Sequence, residues 1–118
     1  MELFTYKAQV ISAYDADTIE VSIDLGFDII FTQKLRFFGI NAPEMRGKEK
    51  AKGTISRDYL RSRILGKEVI IKTEKDKKGK YGRYLATVFL EEMIQGKLVA
   101  TNINKELVKK KLAKFKKY

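Results

Sequence analysis

The sequence predicts a mainly β, α+β domain: a five-stranded β-barrel with two packed α-helices. Three observations carry that expectation. Short apolar runs, several with a period of two, dominate residues 6–40. Two later stretches, 49–66 and 101–115, carry helical spacing and helix end signals instead. The chain has 118 residues, 44% of them hydrophobic, which supports one core but not two, so a single domain over residues 1–118 is expected.

The elements follow in order. "YKAQVISAYD" (6–15) alternates weakly, and "TIEVSIDL" (18–25) alternates strictly, placing Ile19, Val21, Ile23 and Leu25 on one face. "DADT" and "LGFD" are the turns between strands. "IIFTQKLRFFGI" (29–40) is long enough for a bent strand shared by two sides of a small barrel. The chain's one proline, Pro43, then makes a corner. "EKAKGTISRDYLRSRILG" (49–66) reads as a helix ending at Gly66, with an apolar stripe of Ile55, Tyr59, Leu60 and Ile64 and a weak first turn at Gly53. "EVIIKTE" (68–74) and "RYLATVFL" (83–90) are two further strands flanking the lysine-rich loop 75–82. "QGK" turns the chain, and "TNINKELVKKKLAKF" (101–115) is expected as a closing helix capped by Thr101 or Asn102. Three strands, a helix, two strands and a helix is the element order of an OB-fold.

Composition removes whole classes of chemistry. The chain has no cysteine and no histidine, which excludes disulfides, thiolate nucleophiles, imidazole acid–base catalysis and ordinary zinc sites. Any reaction here must use carboxylates, arginine, lysine and tyrosine, with a hard, oxygen-ligated cation as the natural cofactor. The formal net charge is +10, and the 25 basic and 15 acidic side chains are unevenly spread. Residues 1–30 hold one basic side chain (Lys7) and six acidic ones, leaving 24 basic and nine acidic for residues 31–118. Such an excess suits a polyanion such as nucleic acid, although a lysine-rich surface alone would also produce it. The start "MELFTYKAQVIS" lacks a basic leader and an apolar core, and no apolar run would span a membrane. A cytoplasmic monomer is the expectation, with a secreted mature form as the alternative.

Three stretches draw attention. In "YDADT", Asp15 and Asp17 stand two apart across a turn, where both can face one cation; a plain turn would use Asp too. In "LRFFGINAPE", Arg36 sits among apolar residues and would emerge at one end of the barrel, where it can clamp a phosphate. Glu44 follows the proline on a stiff corner, a suitable perch for a general base, or else a structural partner for Arg36. In "KGKYGR", Gly79 and Gly82 bracket Lys80 and Tyr81 beside Arg83, a pattern fit for phosphate binding and base stacking, or for an ordinary basic hairpin.

Taken together and in this order, "DADT", "LRFFGINAPE" and "KYGR" resemble the staphylococcal nuclease (thermonuclease-like) family over about residues 7–113. The resemblance implies an OB barrel that hydrolyses phosphodiester bonds of DNA and RNA with calcium, cutting the P–O5′ bond to leave 3′-phosphates. Position by position it implies Asp17 as a direct calcium ligand with Asp15 supporting it from outside the inner sphere. It implies Asn41 at the family's second carboxylate ligand and the Ala42 backbone carbonyl at the third. Arg36, Glu44 and Arg83 would be catalytic, and Lys80 and Tyr81 would contact nucleotide phosphates. Two departures stand out: Asn41 removes one negative charge from the metal site, and lysines with Tyr118 occupy the stretch where the family usually continues into a third helix. The competing expectations are an SNase-like OB module that binds nucleic acid without cleaving it, and a ribosome-associated basic protein. Retention of Arg36, Glu44 and Arg83 favours the enzyme, and the Asp15/Asp17 pair is unaccounted for by the ribosomal reading.

Overall fold

The computed structural model describes residues 4–75 and 84–116. Alternating apolar residues build the barrel wall. Strand β1 (Thr5–Asp15) turns Ala8, Val10 and Ala13 inward, and β2 (Thr18–Asp24) buries Ile19, Val21 and Ile23 on the expected face. Leu25 does not extend that face and is 43% exposed. The strand stops at Asp24, whose carboxylate accepts the Gly26 N–H at 2.8 Å and turns the chain before Leu25 can point inward.

Strand β3 (Ile30–Phe37) is the shared strand the sequence anticipates. It pairs antiparallel with β2, and its last three residues, Leu35, Arg36 and Phe37, also pair in parallel with β6 (Tyr84–Ile94). With β5 (Glu68–Lys75) between β1 and β6, the order β3-β2-β1-β5-β6 closes on itself. The result is a closed, five-stranded mixed barrel with two helices, consistent with an OB-fold.

Helix α1 (Lys50–Ile64) follows a 3-10 turn at Gly47–Glu49. It stops where expected: Gly66 takes φ 75°, a conformation suited to glycine just past a helix, and its N–H reaches the Val10 carbonyl at 3.0 Å. The buried face differs from the expected stripe. Leu60 and Ile64 are fully buried, but Gly53 and Ser56 complete the face, and Ile55 is 63% exposed.

The C-terminal third departs more. Strand β6 continues beyond 90 to Ile94, and a Gln95–Gly96 turn with φ of 51° and 78° leads into β7 (Lys97–Asn102), a strand the sequence reading did not assign. Helix α2 covers only Ile103–Lys109, capped by the Asn102 side chain, which accepts the Lys105 N–H at 3.0 Å. Thr101, the other expected cap, belongs to β7 instead. The helix ends because Lys111 turns to φ 62° and the Leu112 and Ala113 N–H groups return to the Leu107 carbonyl. Beyond it, β8 (Lys114–Phe115) pairs antiparallel with β4 (Ile40–Asn41) rather than prolonging the helix. No helix among the described residues is long and apolar enough to cross a membrane.

Both helices cover the barrel core through Leu60, Ile64, Ile103 and Leu107, and one polar network locks them to the extended hairpin. Arg63 on α1 contacts Glu92 on β6 at 2.7 Å and Glu106 on α2 at 2.8 Å. The Tyr59 hydroxyl donates to Glu106, and the Thr101 hydroxyl donates to Glu92. Hydrogen bonds from Arg63 first, then from Thr101, pull the Glu92 carboxyl down to about 2 from its ordinary 4.5. A carboxyl lowered by folding stabilises the fold fully above its unfolded value and loses that contribution as pH falls towards the folded value. Hence Arg63→Met should cost about 2 kcal/mol near neutral pH, the scale of charge-assisted hydrogen bonds left unmade. In acid denaturation, Glu92→Gln should flatten the fall in stability between pH 4.5 and about 2. Parallel curves for wild type and Glu92→Gln would contradict this assignment.

Candidate functional site

The site grows from the end of β1. A register shift between Ala13 and Asp15 alters the β1–β2 pairing next to the turn, and such irregularities re-aim side chains at sheet ends. Asp17, within that turn, is 4% exposed. A buried carboxylate needs partners, and Asp17 has them on both oxygens. Oδ2 accepts the Ala42 N–H at 2.8 Å, and Oδ1 accepts the Thr18 hydroxyl at 3.2 Å. Arg36 Nη2 stands 3.5 Å from Oδ2 and also donates to the Asn41 side-chain oxygen. Arg36 reaches this point because β3 pairs it opposite Thr18, beside Asp17.

The proline corner is held from below. The Glu44 N–H donates to Glu49 Oε2 at 3.0 Å, and the Glu44 side chain, 66% exposed, lies 3.6 Å from exposed Arg46. Gly53 explains itself here. A Cβ built on it would lie 2.3 Å from the Glu44 carbonyl oxygen, so only glycine lets α1 approach the corner backbone this closely. The residue expected to weaken the helix is the one that seats the corner.

These segments line one cavity of about 630 Å³, a size that suits a nucleotide-sized ligand. Asp15, Asp17, Arg36, Asn41, Ala42 and Glu44 all contribute to it. Three further expected site residues, Lys80, Tyr81 and Arg83, lie outside the described residues. The cavity also takes in Glu49 and Lys52 at the start of α1, together with Lys111 from the turn after α2 and Lys114 from β8. The sequence placed Lys111 and Lys114 only within a basic 105–117 tail suited to nucleic acid; their convergence with Lys52 depends on Gly53 and on the β4–β8 pairing.

Electrostatics show crowding of negative charge. Burial raises the Asp15 carboxyl above its ordinary 3.8, and the charges of Asp17 and Glu44 push it the same way, against Arg36 and Arg57. Among the described residues, no group of three or more carboxylates, imidazoles or thiols closes around an ion by itself. The donor set is nevertheless all oxygen, and the crowded carboxylates are what a hard cation would relieve.

Two outcomes follow. Gly53→Ala should destabilise the fold by about 1–3 kcal/mol, because the new methyl must displace backbone rather than a flexible side chain. Chemical denaturation measures this, and a neutral effect would contradict the close approach. Asp15→Asn should raise the melting temperature of metal-free protein at neutral pH, since a carboxyl whose folded value is raised destabilises once ionised. An unchanged or lower melting temperature would contradict that crowding.

Comparison with known protein families bears on the fold. A family model described as staphylococcal nuclease homologue matches residues 34–118, most of the chain, spanning the Arg36–Glu44 corner, α1 and all that follows. No curated protein matches the chain. The barrel and the family match therefore lead to one conclusion: the chain belongs to the staphylococcal nuclease homologue family and has a nuclease-type fold.

Proposed function

We propose that the protein is a calcium-dependent nuclease that hydrolyses phosphodiester bonds of DNA, RNA or both, cutting P–O5′ to leave 3′-phosphate products. The observation that carries this reading is the convergence of Asp15, Asp17, Arg36, Asn41 and Glu44, from separate chain segments, on one cavity. Asp17 and the Asn41 amide oxygen would hold the cation with the Ala42 carbonyl, and Asp15 would act through water. Substrate phosphate and water oxygens would complete the sphere, and other hard cations would also fit. When bound, the cation supplies Lewis-acid neutralisation of charge on the phosphate oxygens.

The chain's own groups divide the remaining work. Arg36 is fixed by Asp17 and Asn41, so its guanidinium is preorganised for the phosphate rather than recruited during the reaction. Arg83 would supply the second guanidinium, with Lys80 and Tyr81 contacting neighbouring phosphate. Glu44 is exposed on a corner fixed by Glu49 and Gly53, where it can align a water or accept its proton as oxygen attacks phosphorus. The P–O5′ bond then breaks, and the departing 5′-oxygen takes up a proton.

Cleavage of plasmid DNA and of RNA, with calcium, with magnesium and with chelator, tests this reading. Activity should require the cation and vanish in chelator. Glu44→Gln should lower turnover by about 10²–10³ while the protein stays folded. A folded Glu44→Gln protein with wild-type rates, or a wild type that binds nucleic acid without cutting it, would favour the binding-module alternative.

A further inference from the structure

The cavity lining carries charge of both signs. Asp15, Asp17, Glu44 and Glu49 are its acidic residues, and Lys52, Lys111 and Lys114 are its lysines. We infer that these three lysines form a phosphate subsite that holds a backbone phosphate next to the one being cut. The inference rests on the nuclease reading for its register along the strand, and on the cavity for its existence.

The lysines are not a loose tail. The turn that carries Lys111 and Lys114 is pinned at several points. Buried Ser56 donates to the Leu112 carbonyl at 2.7 Å, and the Leu112 N–H returns to Leu107 at 2.9 Å. Pairing of β8 with β4 then sets Lys114 directly opposite Asn41. In an antiparallel pair, opposite residues present their side chains to the same face, so Lys114 is bound by register to the residue at the cation corner. Lys111 holds φ 62°, a conformation in which glycine is favoured and lysine is strained. Among the described residues Lys111 is one of five non-glycine residues with positive φ, and of these it is the one that lines the cavity.

Among the described residues none of the three ammoniums forms an ion pair, while Asp17 is engaged by Arg36 and the Ala42 amide. Like charges brought to one cavity repel one another until an anion sits among them. Phosphate fits: lysine acts as a compact, rotatable point charge that accepts any phosphate orientation, so the subsite would grip the backbone without reading bases. Exposed Ile55, which also lines the cavity, offers apolar contact to the sugar or base beside that phosphate.

Fluorescence anisotropy of a labelled single-stranded DNA oligonucleotide, measured in chelator so that no cleavage occurs, tests the subsite. The Lys52→Ala/Lys111→Gly/Lys114→Ala triple variant should bind more weakly, with a salt slope shallower by roughly 0.7 for each phosphate contact removed. A dinucleotide with one phosphodiester should bind both proteins alike. Lys111→Gly alone should weaken oligonucleotide binding while raising the melting temperature, a pairing that a purely structural lysine would not show. Where the wild type cleaves, the triple variant should raise KM and leave kcat nearly unchanged. Unchanged oligonucleotide affinity and salt slope in the triple variant overturn the subsite; if that variant fails to fold, unchanged affinity in Lys111→Gly overturns it. Absence of cleavage by the wild type under every cation would sink the nuclease reading, yet the anisotropy in chelator would still decide the subsite.

Discussion

The buried Asp17 carboxylate is the constraint around which the functional end of this barrel is arranged. A carboxylate 4% exposed is costly unless its charge and lone pairs are met. Meeting them draws three segments together: Thr18 from its own turn, Arg36 from β3 and the Ala42 amide from the corner after β4. The Asp17 backbone carbonyl adds a fourth tie, accepting the Phe37 N–H at 2.8 Å. The arginine's aim and the start of the proline corner are therefore tied to satisfying one side chain.

The same logic extends outward. The corner that Ala42 begins can face the cavity only if something supports it from behind. Glu49 does so by accepting the Glu44 N–H, and α1 does so by approaching through Gly53. Ser56 on that helix also holds the turn after α2, and β8 fastens this turn back onto β4. Helix α1 thus supports both the corner and that turn, and its C-terminal end is locked by the Arg63 network to β6 and α2. A change outside the cavity lining, at Arg63, acts on the site through this one helix.

What could be read from the sequence and what could not divides along physical lines. Strands β1 and β2 were legible because their inward residues alternate, β3 because its run is long enough for two sides of a barrel, and the helix end at Gly66 because a glycine there has a conformational reason. Asp15, Asp17, Arg36 and Glu44 stood out one stretch at a time, each with an ordinary structural alternative; only the family resemblance grouped them and added Asn41, and the structure brings all five to one cavity. Ile55 was misplaced because Gly53 and Ser56, not apolar residues, complete the packed face of α1. Strand β7 was missed because its residues are mostly exposed and show no inward alternation, so only pairing with the end of β6 defines it. Helix α2 was expected to run on to 115 because "KKKLAKF" has good helix formers, but pairing of β8 with β4 wins over local propensity. The basic tail that holds Lys111 and Lys114 was legible as suited to nucleic acid, but not its place at the cavity, which follows from that pairing.

Calorimetric titration with calcium, comparing wild type with Asp17→Asn, addresses the centre of this account most directly. Asparagine keeps an oxygen to accept the Ala42 amide, so the variant should remain folded by circular dichroism while losing the buried charge. The wild type should bind calcium at a single site, and Asp17→Asn should lose that binding. Equal calcium binding by a folded Asp17→Asn protein would contradict the assignment of this carboxylate as the anchor of the cation site.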